Sequence, residues 1–317
     1  MHQNLLNAEY KSIVYLSAGN IIMNVILAMK ALTKVLHKSV CCTYACRQFH
    51  FFIGSYINVK GEVMKQNCFI SVLFISVLLL SLAVLQAEAK ERTVIFDQGH
   101  GQKFVIEKEG DLQLSGLAGL LRKEGYEVKV NAGQLNDAAL NAADVLLISG
   151  AFQPFSPEEI NAIIRYLERG GRLCVMLHIP QPLTGLMNRL KVYASNGVIQ
   201  EEENTIKNTP KEFFITKMEK HEITKGLKKI GVHGAWALMT DGTAPQIIAW
   251  TSPKAWIDLN RDGKFNETDV RQSFGVIIAG TLGKGRYVIF GDDAIFQNKF
   301  LDQENMPLAK NVADWMR

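Results

Sequence analysis

From residue 90 onward, short apolar runs alternate with amphipathic segments along the chain. The runs at 93–97, 144–149 and 172–179 are apolar at almost every position, which is typical of strands buried on both faces of a sheet. Residues 112–123 and 156–169 instead repeat apolar side chains three and four positions apart, as one face of a helix does. This alternation predicts an α/β fold with a mainly parallel sheet between helical layers.

The second of these helices has a clear start and stop. Ser156 stands at the N-cap, Pro157 follows in the first turn, and Glu159 lies three residues after the serine, which predicts a capping box. Gly170 and Gly171 end the helix. The C-terminal half is less regular. Its predicted strands and closing helix cover residues 213–216, 247–250, 274–279, 287–290 and 305–315.

The segment before residue 90 has the pattern of an export signal. Lys65 precedes an uninterrupted apolar run at 69–85, and small residues follow at Ala87 and Ala89. This order predicts a signal peptide over residues 64–89, or an uncleaved membrane anchor through 69–86. Residues 1–63 fit neither pattern, and we expect an unfolded extension upstream of a true start at Met64. The folded domain is then 90–317, on the periplasmic or extracellular side.

Charge gives no indication of a polyanionic partner. Of 35 basic and 31 acidic residues, seven and three precede residue 90, which leaves 28 of each in the domain. A neutral domain argues against nucleic acid or an anionic membrane surface as the partner.

Cysteine use is equally uninformative about catalysis. Four of the five cysteines precede residue 90, and Cys174 lies within an apolar run. A single thiol cannot form an internal disulfide, and this position favours a small buried hydrophobe over a reactive group.

Several segments together resemble a known family. They are Asp97-Gln98-Gly99-His100-Gly101, the 156–171 helix with its flanks, His221-Glu222-Ile223-Thr224-Lys225-Gly226, and Gly283-Lys284-Gly285-Arg286 leading into Gly291-Asp292-Asp293. The chain is similar to an uncharacterised bacterial family of exported class I glutamine amidotransferase-like domains, related to a domain of gliding-motility and intraflagellar-transport proteins. The resemblance implies a flavodoxin-like three-layer fold and a role in binding, including of saccharides.

The chain departs from true amidotransferases at the nucleophile. Their cysteine lies on a tight strand-to-helix elbow, whereas the corresponding strand end here reads Ile148-Ser149-Gly150-Ala151-Phe152. Cys174 lies in the middle of a predicted strand, and no Gly-x-Ser-x-Gly elbow occurs. The sequence therefore argues against a cysteine or serine hydrolase.

Polar side chains follow three predicted strands. They are Asp97 with His100, His178, and Asp292 with Asp293. Because the carboxyl ends of parallel strands share one edge, these groups are candidates for a ligand pocket, a divalent-metal site, or an acid and base acting on a bound sugar. The structural alternative is that the aspartates cap loops and helix ends while the histidines pack against neighbouring turns.

Two further histidines have weaker claims. His221 opens a predicted turn before Lys225-Gly226, and His233 lies in no recognisable motif. We expect both to be structural.

The sharpest local motif lies at residues 258–269. Its oxygen-bearing positions match the D-x-[DN]-x-[DN]-G calcium-loop template, with Asp in place of the usual final Glu. The flanking residues indicate strand or loop, unlike an EF-hand, so a surface turn bonded to its own backbone is the alternative. The predicted Ca²⁺ ligands are Asp258, Asn260, Asp262, Lys264 through its carbonyl, Asn266 and Asp269.

These observations favour an exported, non-catalytic module of the cell envelope that binds a small molecule or saccharide. One alternative is a metal-assisted hydrolase of a carbohydrate or amide. Another is an accessory subunit of an envelope transport complex. The predicted pocket comprises Asp97, His100, His178, Asp292 and Asp293, with Ca²⁺ as a structural accessory.

Overall fold

The computed structural model describes residues 91–242 and 245–317, which belong to the compact unit Glu88–Arg317. The predicted extension 1–63 and the predicted signal or anchor 64–89 lie outside the described residues. Across the described ranges, no helix has both the length and the apolar character needed to cross a membrane.

The apolar runs form the parallel part of a 12-stranded sheet, as their pattern indicates. Its strands are β1 (Arg92–Asp97), β2 (Tyr126–Asn131), β3 (Val145–Ser149), β4 (Arg172–Met176) and β15 (Gly285–Phe290). They lie in the order β15-β4-β3-β1-β2, and every neighbouring pair is parallel. The parallel arrangement directs all five carboxyl ends to one edge of the sheet.

The prediction of a mainly parallel sheet is wrong for the rest of this sheet, where the strand pairs are antiparallel. Parallel neighbours need a crossover connection, usually a helix, and the described residues between Arg189 and Asn305 contain no α-helix. The strands of this part are β5 (Val192–Gln200), β8 (Lys217–Met218), β10 (Trp236–Thr240), β11 (Gln246–Trp250), β12 (Trp256–Ile257), β13 (Val270–Arg271) and β14 (Gly275–Leu282).

A second, three-stranded antiparallel sheet packs beside the large one. It contains β6 (Thr205–Ile206), β7 (Thr209–Ile215) and β9 (Ile230–His233) in that order. Phe213 and Ile215 of β7 and Val232 of β9 are fully buried in the common core. The small sheet therefore extends the core of the same unit.

Helices cover both faces of the parallel strands. On one face, α1 (Ser115–Lys123) and α5 (Asn305–Trp315) share a core cluster with alternate strand residues, and on the other face α3 (Pro157–Glu168) and α4 (Thr184–Arg189) share a second cluster. The short helix α2 (Asp137–Asn141) contacts α3. The expected two-sided burial is observed for β1, β3 and β4, whereas most residues of the edge strand β2 are partly or fully exposed.

Local sequence signals account for the helix ends. The capping box of α3 is present: Ser156 Oγ accepts a hydrogen bond from the Glu159 amide at 3.3 Å, and Glu159 Oε2 accepts one from the Ser156 amide at 3.0 Å. The predicted range of α5 coincides with the observed one. Cys174 is fully buried in β4, and burial raises the pKa of its thiol to about 12, which fits the expected hydrophobic role.

Gly285 marks the closest approach between α3 and the sheet. A Cβ atom there would lie 2.3 Å from the carbonyl oxygen of Leu167 and 2.5 Å from that of Gly171. Real Cβ atoms do not approach backbone oxygens so closely, so β15 can pair with β4 beneath the helix end only because residue 285 is glycine.

We expect Gly285→Ala to lower the free energy of unfolding by about 1–3 kcal/mol, because the backbone must shift to admit the methyl group. Gly119→Ala in α1 is the matched control. Nothing lies within 4 Å of its added Cβ, so better helix propensity should raise stability by about 1 kcal/mol. Urea unfolding of the three proteins measures both changes, and equal effects of the two substitutions would contradict the packing argument.

Candidate functional site

The candidate residues lie at the carboxyl ends of the parallel strands, where they form two separate groups. Asp97 and His100 follow β1 and are both buried, with exposed fractions of 3% and 5%. His178 follows β4 and contacts Asp293, which follows β15. Within the described residues, no hydrogen bond joins one group to the other. The predicted single cluster is therefore divided into an interior network and a surface pair.

The interior network places one imidazole between two carboxylates. His100 Nδ1 lies 2.8 Å from Asp97 Oδ2, and its Nε2 lies 3.1 Å from Glu159 Oε1. Because ionised carboxylates only accept hydrogen bonds, this geometry suits a protonated ring that donates from both nitrogens. The ring also stacks on Phe155, with centroids 3.6 Å apart.

The two carboxylates gain further hydrogen bonds from the loops around them. Asp97 accepts from the Gln102 side chain at 2.6 Å and from the Gly99 amide at 3.2 Å. Glu159 accepts from the Leu135 amide at 3.0 Å, in addition to its capping-box contacts. The network thereby joins the loop after β1, the loop before α2 and the start of α3.

The surroundings favour the charged forms of the network. Burial alone would lower the pKa of His100, but hydrogen bonds and charges from Asp97 and Glu159 outweigh it, and the net pKa is raised. Burial would raise the pKa of Glu159, yet amide hydrogen bonds, the Ser156 hydroxyl and the charge of His100 lower it overall. Asp97, His100 and Glu159 thus act as a buried ionic clamp, in line with the structural alternative.

The surface pair consists of His178 and Asp293. His178 Nδ1 lies 3.2 Å from Asp293 Oδ1, and the exposed side-chain fractions are 39% and 5%. The hydrogen bond and the charge of Asp293 raise the pKa of His178 against the opposing effect of burial. The rings of Phe104 and Phe152 lie 5.4 and 5.0 Å from the imidazole. His178 therefore presents a polar group between two aromatic side chains.

Asp292 has a different role from its neighbour. Its Oδ2 accepts a 2.6 Å hydrogen bond from the His233 amide, and its Oδ1 accepts one at 2.9 Å from the Ala294 amide. Burial, with the nearby charge of Asp293, raises the pKa of Asp292 to about 7. Both carboxylate oxygens of Asp292 therefore accept hydrogen bonds from main-chain amides. This agrees with the structural alternative, in which the aspartates cap loops and helix ends.

Gly150 directly follows β3, at the strand end that the resemblance to amidotransferases predicts as the nucleophile position. Its φ is +57°, a conformation that favours glycine. A Cβ atom would lie 2.8 Å from Asp293 Oδ2 and 3.6 Å from His178 Cβ. Asp293 Oδ2 and Ser149 Oγ are both buried without a hydrogen-bond partner. The Asp293 carboxylate thus fills the space that a side chain at residue 150 would need.

Several of these residues escaped the sequence analysis. Glu159 was recognisable as the capping-box residue of α3, but nothing indicated that a histidine 59 positions away would contact it. Phe104 and Phe152 carry no local motif. Gly150 was noted only for the absence of a cysteine, although a strand followed by glycine at a tight turn is the signal that could have identified the elbow.

The other two histidines have backbone or packing contacts. His221 Nδ1 accepts a hydrogen bond from the Ile223 amide at 3.1 Å, and His233 stacks on Phe300 with centroids 3.8 Å apart. Burial lowers the pKa of both imidazoles. These contacts agree with the structural roles expected of them.

Among residues 91–242 and 245–317, no three His, Cys, Asp or Glu side chains are grouped so as to hold a metal ion. In the 258–269 loop the oxygens contact the loop's own amides. Asp258 Oδ2 accepts from Gly263 at 2.9 Å, and Asp269 Oδ1 accepts from Leu259 at 2.9 Å. The loop joins the paired strands β12 and β13 and not two helices, as its flanks indicated.

Comparison with protein families decides the classification. The profile of a family described as "Domain of unknown function (DUF4350)" matches residues 109–313, well over half of the chain. The chain belongs to the DUF4350 family. No curated protein matches it.

The DUF4350 domain shares its fold with a solved structure, the mmIFT52 N-terminal domain. The TM-score is 0.57 at 14% identity, covering 70% of this chain and 96% of that one. A ThuA-like protein from Bacteroides uniformis ATCC 8492 aligns over 73% and 93% of the two chains, with 15% identity and a TM-score of 0.43. Cytoplasmic Protein STM1381 from Salmonella typhimurium LT2 aligns over 71% and 99%, with 15% identity and a TM-score of 0.47. The expected similarity to a domain of intraflagellar-transport proteins is confirmed at the level of the fold.

The ionic clamp predicts a specific pH dependence for the DUF4350 domain. Because the pKa of His100 is raised on folding, its stabilisation is complete below the ordinary value of 6.5 and is lost as pH rises through the folded value. Glu159 has a lowered pKa, so its contribution is complete above 4.5 and is lost as pH falls through its folded value. Both contributions are therefore complete between these two ordinary values.

We expect His100→Gln to lower the free energy of unfolding by about 3 kcal/mol near pH 6, because two buried carboxylates lose their shared cation. The loss should shrink as the pH rises above 6.5. Urea unfolding from pH 5.5 to 9 measures it, with His221→Gln as a histidine control that should cost about 1 kcal/mol or less. A loss that does not vary with pH would argue against a protonated His100.

Proposed function

We propose that this protein is an exported, non-catalytic ligand-binding module of the cell envelope, with a flavodoxin-like domain related to class I glutamine amidotransferases. Its ligand is a small molecule such as a saccharide, bound at the carboxyl ends of the parallel strands. The observation that carries this proposal is the half-exposed His178, oriented by a buried aspartate and flanked by two aromatic rings. Ligand sites commonly combine apolar walls with a few oriented polar groups.

The imidazole of His178 is suited to hold a polar ligand. Asp293 engages Nδ1, so Nε2 is the ring atom that remains for a ligand. The main chain at this position is also held, because Trp236 Nε1 donates a 2.8 Å hydrogen bond to the His178 carbonyl oxygen. A ring held at Nδ1 on an anchored main chain binds with little loss of side-chain entropy.

The absence of a catalytic role is supported by the geometry around Gly150. Covalent hydrolysis on an elbow needs a nucleophilic side chain at the strand end, next to a base. Here residue 150 is glycine, and the Asp293 carboxylate occupies the adjacent space. Asp97 and His100 are excluded from our proposed binding surface because they satisfy each other in the interior.

The competing proposal is a metal-assisted hydrolase of a carbohydrate or amide. The observation in its favour is the same aspartate-oriented histidine, an arrangement that also suits a general base. Metal analysis of the purified protein separates the two functions. Stoichiometric zinc or iron that is lost on His178→Ala would favour the hydrolase.

We expect at least one compound among monosaccharides, disaccharides, nucleotides and peptidoglycan fragments to bind the wild-type protein in calorimetric titrations. His178→Gln should weaken that binding about tenfold or more, because a charged hydrogen bond contributes about 1.5–3 kcal/mol. Arg122→Gln, an exposed change at the opposite edge of the sheet, should leave it unchanged. Equal affinity of wild type and His178→Gln, or no binding at all, would refute the proposed site.

We also propose that the 258–269 loop binds Ca²⁺ as a structural accessory. Its donors are of the hard-oxygen type that calcium prefers, and the hydrogen bond from the Leu259 amide brings Asp269 next to the start of the loop. The carboxylates would have to turn from their present amide partners toward the cation. Such an ion would staple the β12–β13 connection without taking part in ligand chemistry.

If the loop binds Ca²⁺, the melting temperature should rise with calcium concentration, since ligand at about 100 times Kd adds about 2.7 kcal/mol of stability. Asp258→Asn should abolish the shift, whereas Glu267→Gln, a charge change in the same loop outside the predicted ligand set, should preserve it. An identical melting temperature with calcium and with chelator would count against the ion.

A further inference from the structure

A cavity of about 1080 Å³ lies at the edge of the sheet opposite His178. Its floor is formed by the end of β14 and the start of β15, one wall by residues 216–227, and one end by Trp315 of α5. Arg286 on the floor is the second residue of β15, whereas Asp293 follows the end of that strand. At ~3.3 Å per residue, the strand from Arg286 to Phe290 alone separates the two sites by about 13 Å. We call this cavity the amino-edge groove.

The floor of the groove combines small residues with an oriented cation. The small residues are Ala279 and Gly280, and a Cβ atom added at Gly280 would lie 2.5 Å from the ring of its register partner Tyr287, on the face away from Thr281 and Arg286. Thr281 and Arg286 are register partners across β14 and β15, which places their side chains on the same face. Arg286 is held over the Trp315 ring at 5.0 Å and donates to the carbonyl oxygen of Arg317.

The wall is rigid because its turn is bonded both internally and to α5. Thr224 Oγ1 donates to the Glu219 carbonyl oxygen at 2.6 Å. Asn311 of α5 donates from Nδ2 to the carbonyl oxygens of Ile223 and Lys225, at 3.0 and 2.9 Å. A preformed wall lowers the ordering cost of binding a small molecule.

Hydrogen-bond donors predominate in the groove. His221 accepts the Ile223 amide on Nδ1, and burial lowers the pKa of its ring, so the neutral ring carries its proton on Nε2. Thr281 and the Gln246 amide add neutral donors. The one ionised side chain on the floor is Arg286. Because the hydroxyl and the amide can also accept, only Arg286 and His221 Nε2 require acceptor atoms from a ligand.

The charged side chains that line the groove also favour an acidic ligand. Lys220 and Lys225 lie on the rim with Glu219 and Glu222, and none of these four forms a salt bridge within residues 91–242 and 245–317. With Arg286, the lining carries three cations against two carboxylates.

A further cation lies next to the floor. Arg172, the register partner of Arg286 on β4, has a buried Nε atom without a hydrogen-bond partner. Arg172 therefore adds a second positive charge beside Arg286.

We propose that the amino-edge groove is a second binding site, for a small organic acid whose acidic group contacts Arg286 and Thr281. Its volume suits a ligand of monosaccharide to disaccharide size, because ligand pockets commonly measure ~300–1,000 Å³. This site is independent of the binding surface around His178. The acidic group is a carboxylate or a phosphate, and the test distinguishes them.

The test is calorimetric titration of the full-length protein with D-glucuronate, D-glucose 6-phosphate and D-glucose as probes. We expect saturable binding of at least one acid and at least tenfold weaker binding of glucose. Preference between the two acids identifies the group as carboxylate or phosphate. Absence of saturable binding by both acids, or equal affinity for glucose, would overturn the proposal.

Two variants locate the site. Arg286→Gln should weaken binding of the acid at least tenfold, and Lys284→Gln, which removes a neighbouring exposed lysine outside the groove, should not. If a thermal melt shows that Arg286→Gln is unfolded, Thr281→Val takes its place and should also weaken binding of the acid. His178→Gln should leave this binding intact, so failure here and failure of the first site remain distinguishable. Unchanged affinity in both Arg286→Gln and Thr281→Val would refute the assignment.

Discussion

An imidazole held between two buried carboxylates organises the carboxyl edge of this sheet. His100 contacts Asp97 from its own loop and Glu159 from the first turn of α3. Desolvating three ionisable groups is costly, and the cost is offset only when every group keeps its partners. The loops after β1 and β3 therefore have little freedom, since the His100 carbonyl oxygen also accepts the amides of Phe152 and Gln153.

The restraint on these two loops also determines which side chains surround His178. Phe152, held by the His100 carbonyl oxygen at 2.9 Å, places its ring beside His178. Gly150 precedes it in the left-handed conformation, and Asp293 fills the space beside the glycine. The Asp293 carboxylate and His178 thus lie where a side chain at residue 150 would need room.

The mixed sheet gives the domain two chemically distinct edges. Parallel strands align their carboxyl ends at one edge, with carboxylates and histidines, and their amino ends at the other, with Arg172 and Arg286. The antiparallel strand β14 completes the second edge, because it pairs with β15 and leaves its small residues as a floor. The floor of the groove therefore depends on the antiparallel pairing of β14 with β15.

Local regularities in the sequence were enough to identify much of the fold. Runs of apolar residues predicted β1, β3 and β4, and the capping box predicted the start of α3, because burial on both faces and helix capping involve near neighbours in the chain. The range of α5 and the buried state of Cys174 followed from the same kind of pattern.

Only the tertiary structure decided which polar residues meet. His100 and Glu159 are 59 positions apart, His178 and Asp293 are 115 apart, and no periodicity links them. The sequence by itself determined the central strands β1, β3 and β4, the helices α1, α3 and α5, and that polar groups follow the parallel strands. Long-range packing decided three further features: the direction of the strands after β4, the division of those polar groups into an interior clamp and a surface pair, and the groove at the opposite edge. Each of them depends on contacts between segments that are far apart in the chain.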